Sequence, residues 1–173
     1  VGVGGAVVGV HRGGKVGSAS LRYRVDREAV EEAVVEFDGR LGVSSGMWHR
    51  SDGVKAMNSL FDSGVIPDGG VALNDMLASG VMHAIQMHDY RIPEDIAVIG
   101  FDNSDDSQYL SPALTSIDPG LEAVARLSVK VLKERIDGRE PNGEHPGRKV
   151  FRKVSSSLVM RQSTKLPQES LVV

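Results

Sequence analysis

Polar and aromatic side chains follow four predicted strands of this chain, at the points where those strands end. They are Ser20 with Arg24, then Trp48, Asn74 and Asp102. Right-handed strand–helix–strand connections bring the carboxyl ends of parallel strands to one edge of a sheet, so we expect these residues to lie together. A carboxylate accepts hydrogen bonds from hydroxyl groups, an amide donates and accepts, and an arginine donates a rigid pair. With the flat face of a tryptophan, the set predicts a site for a neutral or mildly anionic polar small molecule.

Each of these residues also has a purely structural interpretation. Asp102 or Asp106 can cap a short helical turn, and Asn74 can begin a helix. Arg24 can be a solvated charge on a helix, and Trp48 can belong to the core. The expected common location favours binding, while the residues taken singly leave both interpretations open.

Patterns for catalysis or metal binding are incomplete in this chain. The run from Gly9 to Lys15 fits the first seven positions of a phosphate-binding P-loop, but Val16 stands where a hydroxyl would hold Mg²⁺. The acidic cluster of Asp102, Asp105 and Asp106 suggests a phosphorylation pocket or a cation site, yet a second acidic pair and an active lysine are missing. The five histidines lack metal-ligand spacing, and no Gly-x-Ser-x-Gly motif occurs. We therefore expect neither an enzyme nor a bound metal or cofactor.

Short apolar runs alternate with amphipathic segments about five times, which predicts a parallel α/β fold. The segment 75–89 has apolar residues at helical spacing and is expected to bury Leu77, Val81, Ala84, Ile85 and His88. The other predicted helices run from Ser18 or Ser20 to Phe37, from a cap at Ser51 or Asp52 to Phe61, and over Leu121–Ile136. The predicted strands are Ala6–Val10, Leu41–Ser45, Val71–Leu73, Ile96–Phe101, Leu114–Ile117, Lys149–Val154 and Ser157–Met160.

Composition restricts the class of protein further. The chain has 173 residues, 40% of them hydrophobic, with a net charge of −3 and no cysteine. This balance is typical of a globular domain and makes the segment by itself a poor nucleic-acid binder. No apolar stretch reaches the roughly 18 residues that span a bilayer, and the start does not resemble a secretory signal. Because the chain begins at Val1, we expect it to be part of a longer protein.

Several motifs, in the correct order, resemble the LacI/GalR family of bacterial transcription regulators. The most specific is RIPEDIAVIGFDN at 91–103, followed by SPALTSI at 111–117. The segment 71–75 is similar to the family's ANDxxA box, and 46–48 with Gly53 is similar to its aromatic lid segment. Residues 18–24 look like the family's loop and helix start, and 158–164 look like its closing segment. The resemblance covers about residues 16–164.

The resemblance implies a type I periplasmic-binding-protein-like fold, in which two α/β lobes enclose an effector cleft. Residues 1–117 would form the C-terminal lobe, 118–156 would belong to the N-terminal lobe, and 157–173 would be a return strand and a frayed tail. Asp102 and Arg24 would grip the effector, Asn74 and Ser20 would assist, and Trp48 would stack on it.

The resemblance also implies partners. The effector would be a sugar or a nucleobase-like molecule, and the 104–112 loop with the 76–88 helix would form a homodimer face. Operator DNA would be bound only through a helix-turn-helix that is not present in this chain. The protein would be cytoplasmic, and a membrane would not be among its partners.

The chain departs from the family pattern in three respects. The family's N-terminal helix-turn-helix and most of its N-terminal lobe are not part of this sequence, and we expect helix 121–136 to have lost partners for its apolar face as a result. Arg27 and Glu28 stand where members usually have glycine and an aromatic residue, and the first 15 residues do not follow the usual strand-then-glycine pattern. The alternative is a periplasmic sugar-binding protein of a transport system, which has the same fold. The repressor-like ending at 158–164 disfavours that alternative.

Overall fold

Parallel β-strands with helical connections form the framework of the chain. The computed structural model describes residues 7–11, 28, 42–44, 47–137 and 152–164. Its strands are β1 (Val7–His11), β2 (Gly42–Ser44), β3 (Gly69–Ala72), β4 (Ala97–Phe101), β5 (Thr115–Asp118) and β6 (Ser157–Val159), in the sheet order β2-β1-β3-β4-β5-β6. The pairings from β2 through β5 are all parallel. The predicted parallel α/β fold is confirmed.

Two helices pack together over this sheet and enclose the core. Helix α1 spans Arg50–Asp62 and helix α2 spans Asp75–Met87. The core consists of buried apolar side chains from both helices and from β3 and β4, among them Met57, Leu77, Ile85 and Val98. Burying a side chain of this size contributes about 1.5–3 kcal/mol, so the helix pair and the strands beneath it form the most stable part of the described chain.

Glycines allow the two helices to approach closely. Gly53 in α1 and Gly80 in α2 are both buried. A methyl group at Gly53 would collide with the Leu77 carbonyl oxygen, and one at Gly80 would collide with the Arg50 carbonyl oxygen. The backbones therefore touch at this crossing, which fixes the positions of both helix N-termini relative to each other.

An ion pair closes the turn that leads into β4. Arg91 donates to Asp95 from its backbone N–H (2.8 Å), from Nε (2.9 Å) and from Nη2 (2.7 Å). This contact raises the pKa of the Arg91 guanidinium above its ordinary value, chiefly through the side-chain hydrogen bond and then through the charge of Asp95. The start of the 91–103 motif thus has a local structural role.

The chain divides into two compact units. One comprises residues 1–117 and 158–173, and the other comprises 118–157. The smaller unit contains helix α3, Leu121–Ile136, and none of the side chains of this helix is buried. Its apolar residues Val124, Leu132 and Ile136 are 41%, 60% and 75% exposed. Assignment of the two units to lobes of a larger fold stays a prediction.

Several predicted elements need correction. Helix α1 has His49 as its N-cap, and Asp52, in the first turn, accepts the His49 backbone N–H at 3.2 Å. His88, which was expected to be buried, is exposed because it lies just past the end of α2. The centroid of its ring lies 4.5 Å from that of Phe61. Residues 152–156 are not strand, and 149–151 lie outside the described residues. The predicted helix before Phe37 also lies outside them, apart from Glu28. No helix in the described ranges is long and apolar enough to cross a membrane.

Candidate functional site

The carboxyl ends of β3 and β4 bring two predicted site residues together. Gly69 lies opposite Ala97, and Val71 lies opposite Ile99. Asn74 follows the end of β3 by two residues and Asp102 follows β4 directly, so both lie at the carboxyl ends of neighbouring parallel strands.

Asn74 caps a helix and also anchors the aromatic residue of the site. Its Oδ1 accepts the Leu77 backbone N–H at 2.7 Å, which makes it the N-cap of α2. Its Nδ2 donates to the Trp48 carbonyl oxygen at 3.2 Å. The structural interpretation of Asn74 is therefore correct. Through the second bond, the same side chain joins the segment that precedes α1 to the start of α2.

Trp48 lies at the border of the core. Its side chain is partly buried and packs against the core cluster. Because its backbone is bonded to Asn74, the tryptophan lies at the edge of the sheet where β3 and β4 end. The structural interpretation of Trp48 therefore holds in part, and contact with a ligand through the exposed part of the ring stays a prediction.

Asp102 occupies a strained turn directly after β4. Its φ is 111° and that of Asn103 is 48°, so two consecutive residues that are not glycine adopt the left-handed region. Such residues cost on the order of 1–3 kcal/mol each and occur where surrounding contacts enforce them. The Asp102 backbone N–H donates to the Ile117 carbonyl oxygen at 2.9 Å, and the residue is partly buried. The alternative interpretation, in which Asp102 or Asp106 caps a short helical turn, does not hold, because Ser104 is the N-cap of the short 3₁₀ helix Asp105–Tyr109.

A buried carboxylate beneath this turn was absent from the predicted site. Asp75, only 4% exposed, accepts hydrogen bonds from the Ser104 backbone N–H (2.7 Å), the Ser107 hydroxyl (2.6 Å) and the Ser116 hydroxyl (2.6 Å). The Ser116 hydroxyl in turn accepts the Asn103 backbone N–H at 3.0 Å. An acidic residue directly after a helix cap is the only local signal for this network.

Arg161 contacts the same turn from the closing segment of the chain. Its Nη2 donates to Asn103 Oδ1 at 2.7 Å, and its Nη1 donates to the Leu114 carbonyl oxygen at 2.7 Å. Its backbone N–H also donates to the Thr115 hydroxyl at 2.8 Å. The 158–164 segment is therefore tied to the strand end that carries Asp102.

The structure thus brings Trp48, Asn74 and Asp102 to one edge of the sheet. Ser20 and Arg24 lie outside the described residues. The three placed residues supply an aromatic surface, an amide and a carboxylate, and they suit a small molecule that has hydroxyl or N–H groups on an apolar body.

The neighbouring acidic residues have other contacts. Asp105 Oδ1 accepts the Gln108 side-chain amide at 2.8 Å, and Asp106 forms an ion pair with Arg50 at 2.6 Å. Within the described ranges no group of three or more histidine, aspartate or glutamate side chains is arranged to hold a metal ion.

Comparison with known proteins identifies relatives of the chain. The model of the periplasmic binding protein-like domain matches residues 6–164. The HTH-type transcriptional repressor PurR of Pasteurella multocida (strain Pm70) is 30% identical over 148 residues, which cover 86% of this chain and 42% of that protein. The chain therefore spans less than half the length of the curated relatives that it matches.

Solved structures show the same relationship. A LacI-type transcription regulator from Bifidobacterium animalis subsp. lactis is 33% identical with a TM-score of 0.81, and the match covers 93% of this chain and 59% of that one. The complex of the transcriptional regulator CelR with cellobiose is 28% identical with a TM-score of 0.79, and the match covers 91% of this chain and 46% of that one.

Proposed function

The chain belongs to the periplasmic binding protein-like domain family, among its LacI/GalR-type regulators, and from that premise we propose that it is the effector-sensing and dimerisation region of a transcription repressor. It is a regulatory domain and not an enzyme. The observation that carries the proposal is the convergence of Trp48, Asn74 and Asp102 at one edge of the sheet, because the three side chains supply complementary contacts for one small molecule.

Each residue has a distinct role in the proposed site. Asp102 accepts hydrogen bonds from paired hydroxyl or N–H groups of the effector, and Arg24 donates to its polar atoms. Asn74 has a second amide proton and a second lone pair beyond those used for the cap and for Trp48, so it can contribute one further bond of each kind. Trp48 covers the apolar face of the effector, and Ser20 assists.

A sugar is the effector class that we favour. A pyranose presents hydroxyl groups at its rim and C–H bonds on its face, which match a carboxylate and a tryptophan respectively. The CelR relative binds cellobiose, which supports this choice. A nucleobase-like effector is the second candidate, because its flat ring and N–H groups suit the same two residues.

Regulation follows from linkage between effector and operator. An effector that binds one arrangement of the protein better than another shifts the population toward that arrangement, and the affinity for operator DNA changes by the same coupling free energy. DNA binding belongs to the longer protein, through a helix-turn-helix, and we place that protein in the cytoplasm. A periplasmic sugar-binding protein is the alternative, and operator binding by the longer protein would exclude it.

We propose that the homodimer face comprises the 76–88 helix and the 104–112 loop. Apolar side chains are exposed there, with Met76 at 38%, Met87 at 69% and Tyr109 at 75%. Between α1, α2 and the loop lies a groove of about 370 Å³ that Leu110 and Met82 help to line. Exposed apolar residues around a groove are typical of a surface that a second copy covers.

The effector site is tested by removing its carboxylate. We expect Asp102→Ala and the isosteric Asp102→Asn to weaken effector binding at least about tenfold, since a hydrogen bond to a charged group contributes about 1.5–3 kcal/mol. Binding is measured by titrating the fluorescence of Trp48, the chain's one tryptophan, with a panel of mono- and disaccharides including cellobiose and with free purine bases.

Asp105→Ala is the matched control, because Asp105 is an exposed carboxylate of the adjacent 3₁₀ helix. Unchanged affinity in both Asp102 variants would refute the assigned site. Equal losses in the Asp105 control would show that the overall negative charge of this region, rather than one carboxylate, determines binding.

A further inference from the structure

The turn that carries Asp102 has a backbone conformation that its own residues tolerate but do not enforce. Neither Asp102 nor Asn103 is glycine, yet both have a positive φ, of 111° and 48°. Aspartate and asparagine adopt this region more often than other residues with a Cβ, but two in succession still carry a conformational cost that contacts outside the turn can offset. The direction of the Asp102 carboxylate is therefore set by whatever holds this turn.

One anchor is the pair formed by Ser116 and Asp75. Ser116 is fully buried in β5, where its hydroxyl accepts the Asn103 backbone N–H at 3.0 Å and donates to Asp75 Oδ1 at 2.6 Å. The other oxygen of Asp75 accepts the Ser104 backbone N–H at 2.7 Å. Two consecutive backbone N–H groups after Asp102 are thus held, directly or through one hydroxyl, by a single carboxylate.

The structure also shows why the Asp75 carboxylate can reach this position. Asp75 lies in the first turn of α2, where the helix dipole stabilises a negative charge. The facing strand residue is Gly100, and a methyl group there would collide with Asp75 Oδ1. The absence of a side chain at Gly100 therefore makes room for the buried carboxylate.

Arg161 provides the second anchor, which acts on the side chain of Asn103 in the same turn. Its guanidinium donates to Asn103 Oδ1 at 2.7 Å and to the Leu114 carbonyl oxygen at 2.7 Å. Because the guanidinium is planar, these two bonds fix Asn103 relative to the start of β5.

We propose that Asp75, acting through Ser116, and Arg161 are positioning residues for effector binding. They hold the Asp102-Asn103 turn in its left-handed conformation before the effector arrives, so that binding does not have to order it. This inference rests on the proposed role of Asp102 as an effector ligand. If a variant populates the competent turn only one tenth of the time, the apparent affinity falls about tenfold.

Ser116→Ala tests the first anchor, and Ser163→Ala is its matched control. Both serines are fully buried, and each hydroxyl accepts one backbone N–H and donates to one oxygen. The Ser163 hydroxyl accepts the Thr115 N–H at 2.8 Å and donates to the Val98 carbonyl oxygen at 2.6 Å, and neither partner belongs to the turn. Ser116→Ala also removes a bond to the Asp75 carboxylate and therefore loses more stability, so the two variants are compared only where both are folded. Of the two hydroxyls, only that of Ser116 contacts the turn directly.

Two readouts on the full chain separate positioning from a general structural effect. In the ligand-free chain, we expect the Ser104 amide to exchange about tenfold faster in Ser116→Ala than in Ser163→Ala, although its own acceptor is retained. With cellobiose as probe, or with another panel compound that binds the native chain, Ser116→Ala is expected to bind about tenfold more weakly, at a temperature where both variants are folded.

Asn103→Gly tests the second anchor. Glycine accepts the left-handed φ without strain, and this variant removes the side-chain oxygen to which Arg161 donates. We expect the affinity to fall while stability is retained.

The outcomes separate the two proposals. Equal probe affinity in Ser116→Ala and Ser163→Ala, with equal exchange at Ser104, would overturn the positioning role of Asp75. Native probe affinity in Asn103→Gly would overturn the positioning role of Arg161. If Asp102→Ala binds the probe like the native chain, the proposed site is wrong. The proposal that Asp75 and Arg161 position Asp102 for effector binding is then also wrong, independently of the exchange rates. If no panel compound binds, the sugar or nucleobase assignment fails, and the exchange rates alone decide whether Asp75 orders the turn.

Discussion

Asn74 joins the two helix N-termini at the site, and the energetic contribution of its two bonds can be separated by substitution. Its Oδ1 accepts the Leu77 N–H at 2.7 Å, and its Nδ2 donates to the Trp48 carbonyl oxygen at 3.2 Å. Asn74→Ala removes both bonds. Serine caps helices as well as asparagine does but is too short to reach Trp48, so Asn74→Ser removes only the second bond.

The expected losses follow from these geometries. A missing N-cap bond costs about 1 kcal/mol, and a part-buried neutral hydrogen bond contributes about 1 kcal/mol. We therefore expect Asn74→Ala to lower the free energy of unfolding by about 2 kcal/mol and Asn74→Ser to lower it by about 1 kcal/mol. For a chain of this size, each kcal/mol corresponds to about 2–4 °C in the melting temperature.

Urea unfolding followed by far-UV circular dichroism measures these losses, with the m-value as a check that the denatured state is unchanged. The fluorescence emission maximum of Trp48, the single tryptophan, reports on the hydrogen bond between Asn74 and the Trp48 carbonyl, and it should shift in both variants. Equal losses of stability in the two variants would refute the cap contribution. If Asn74→Ser keeps both the native emission and the native stability, the hydrogen bond from Asn74 to the Trp48 carbonyl does not contribute to stability.

Three further perturbations follow from the described contacts. Tyr109→Glu places a charge on the exposed loop of the proposed dimer face and should give a monomer in light scattering, and a retained dimer would contradict that face. Gly53→Ala drives a methyl group into the Leu77 carbonyl and should cost about 1–3 kcal/mol or more in urea unfolding; native stability would show that the helices separate freely. Glu122→Gln breaks an ion pair with Arg126 whose partners are both 78% exposed, and thermal unfolding should change by at most about 0.5 kcal/mol.

The order and type of the elements could be predicted from the sequence because they depend on local pattern. Helix Leu121–Ile136 was predicted with the bounds that the structure shows, since its apolar residues recur at helical spacing and glycine and proline precede it. The N-cap of α1 was missed because His49 is a weak capping type, and the serine and aspartate nearby are stronger ones.

The tertiary structure alone decided which polar groups hold the site. Trp48 and Asn74 could be assigned to strand ends from the sequence, but their hydrogen bond joins residues 26 positions apart. The contact between Asp75 and Ser116 spans 41 positions, and that between Arg161 and Asn103 spans 58. Hydrophobic periodicity repeats over two to four residues, so it places a side chain on a face of its own element and carries no information about a partner on another strand. The left-handed turn at Asp102 is contacted by those distant partners, so the position of this carboxylate at a strand end could be predicted from the sequence while the contacts around its turn could not.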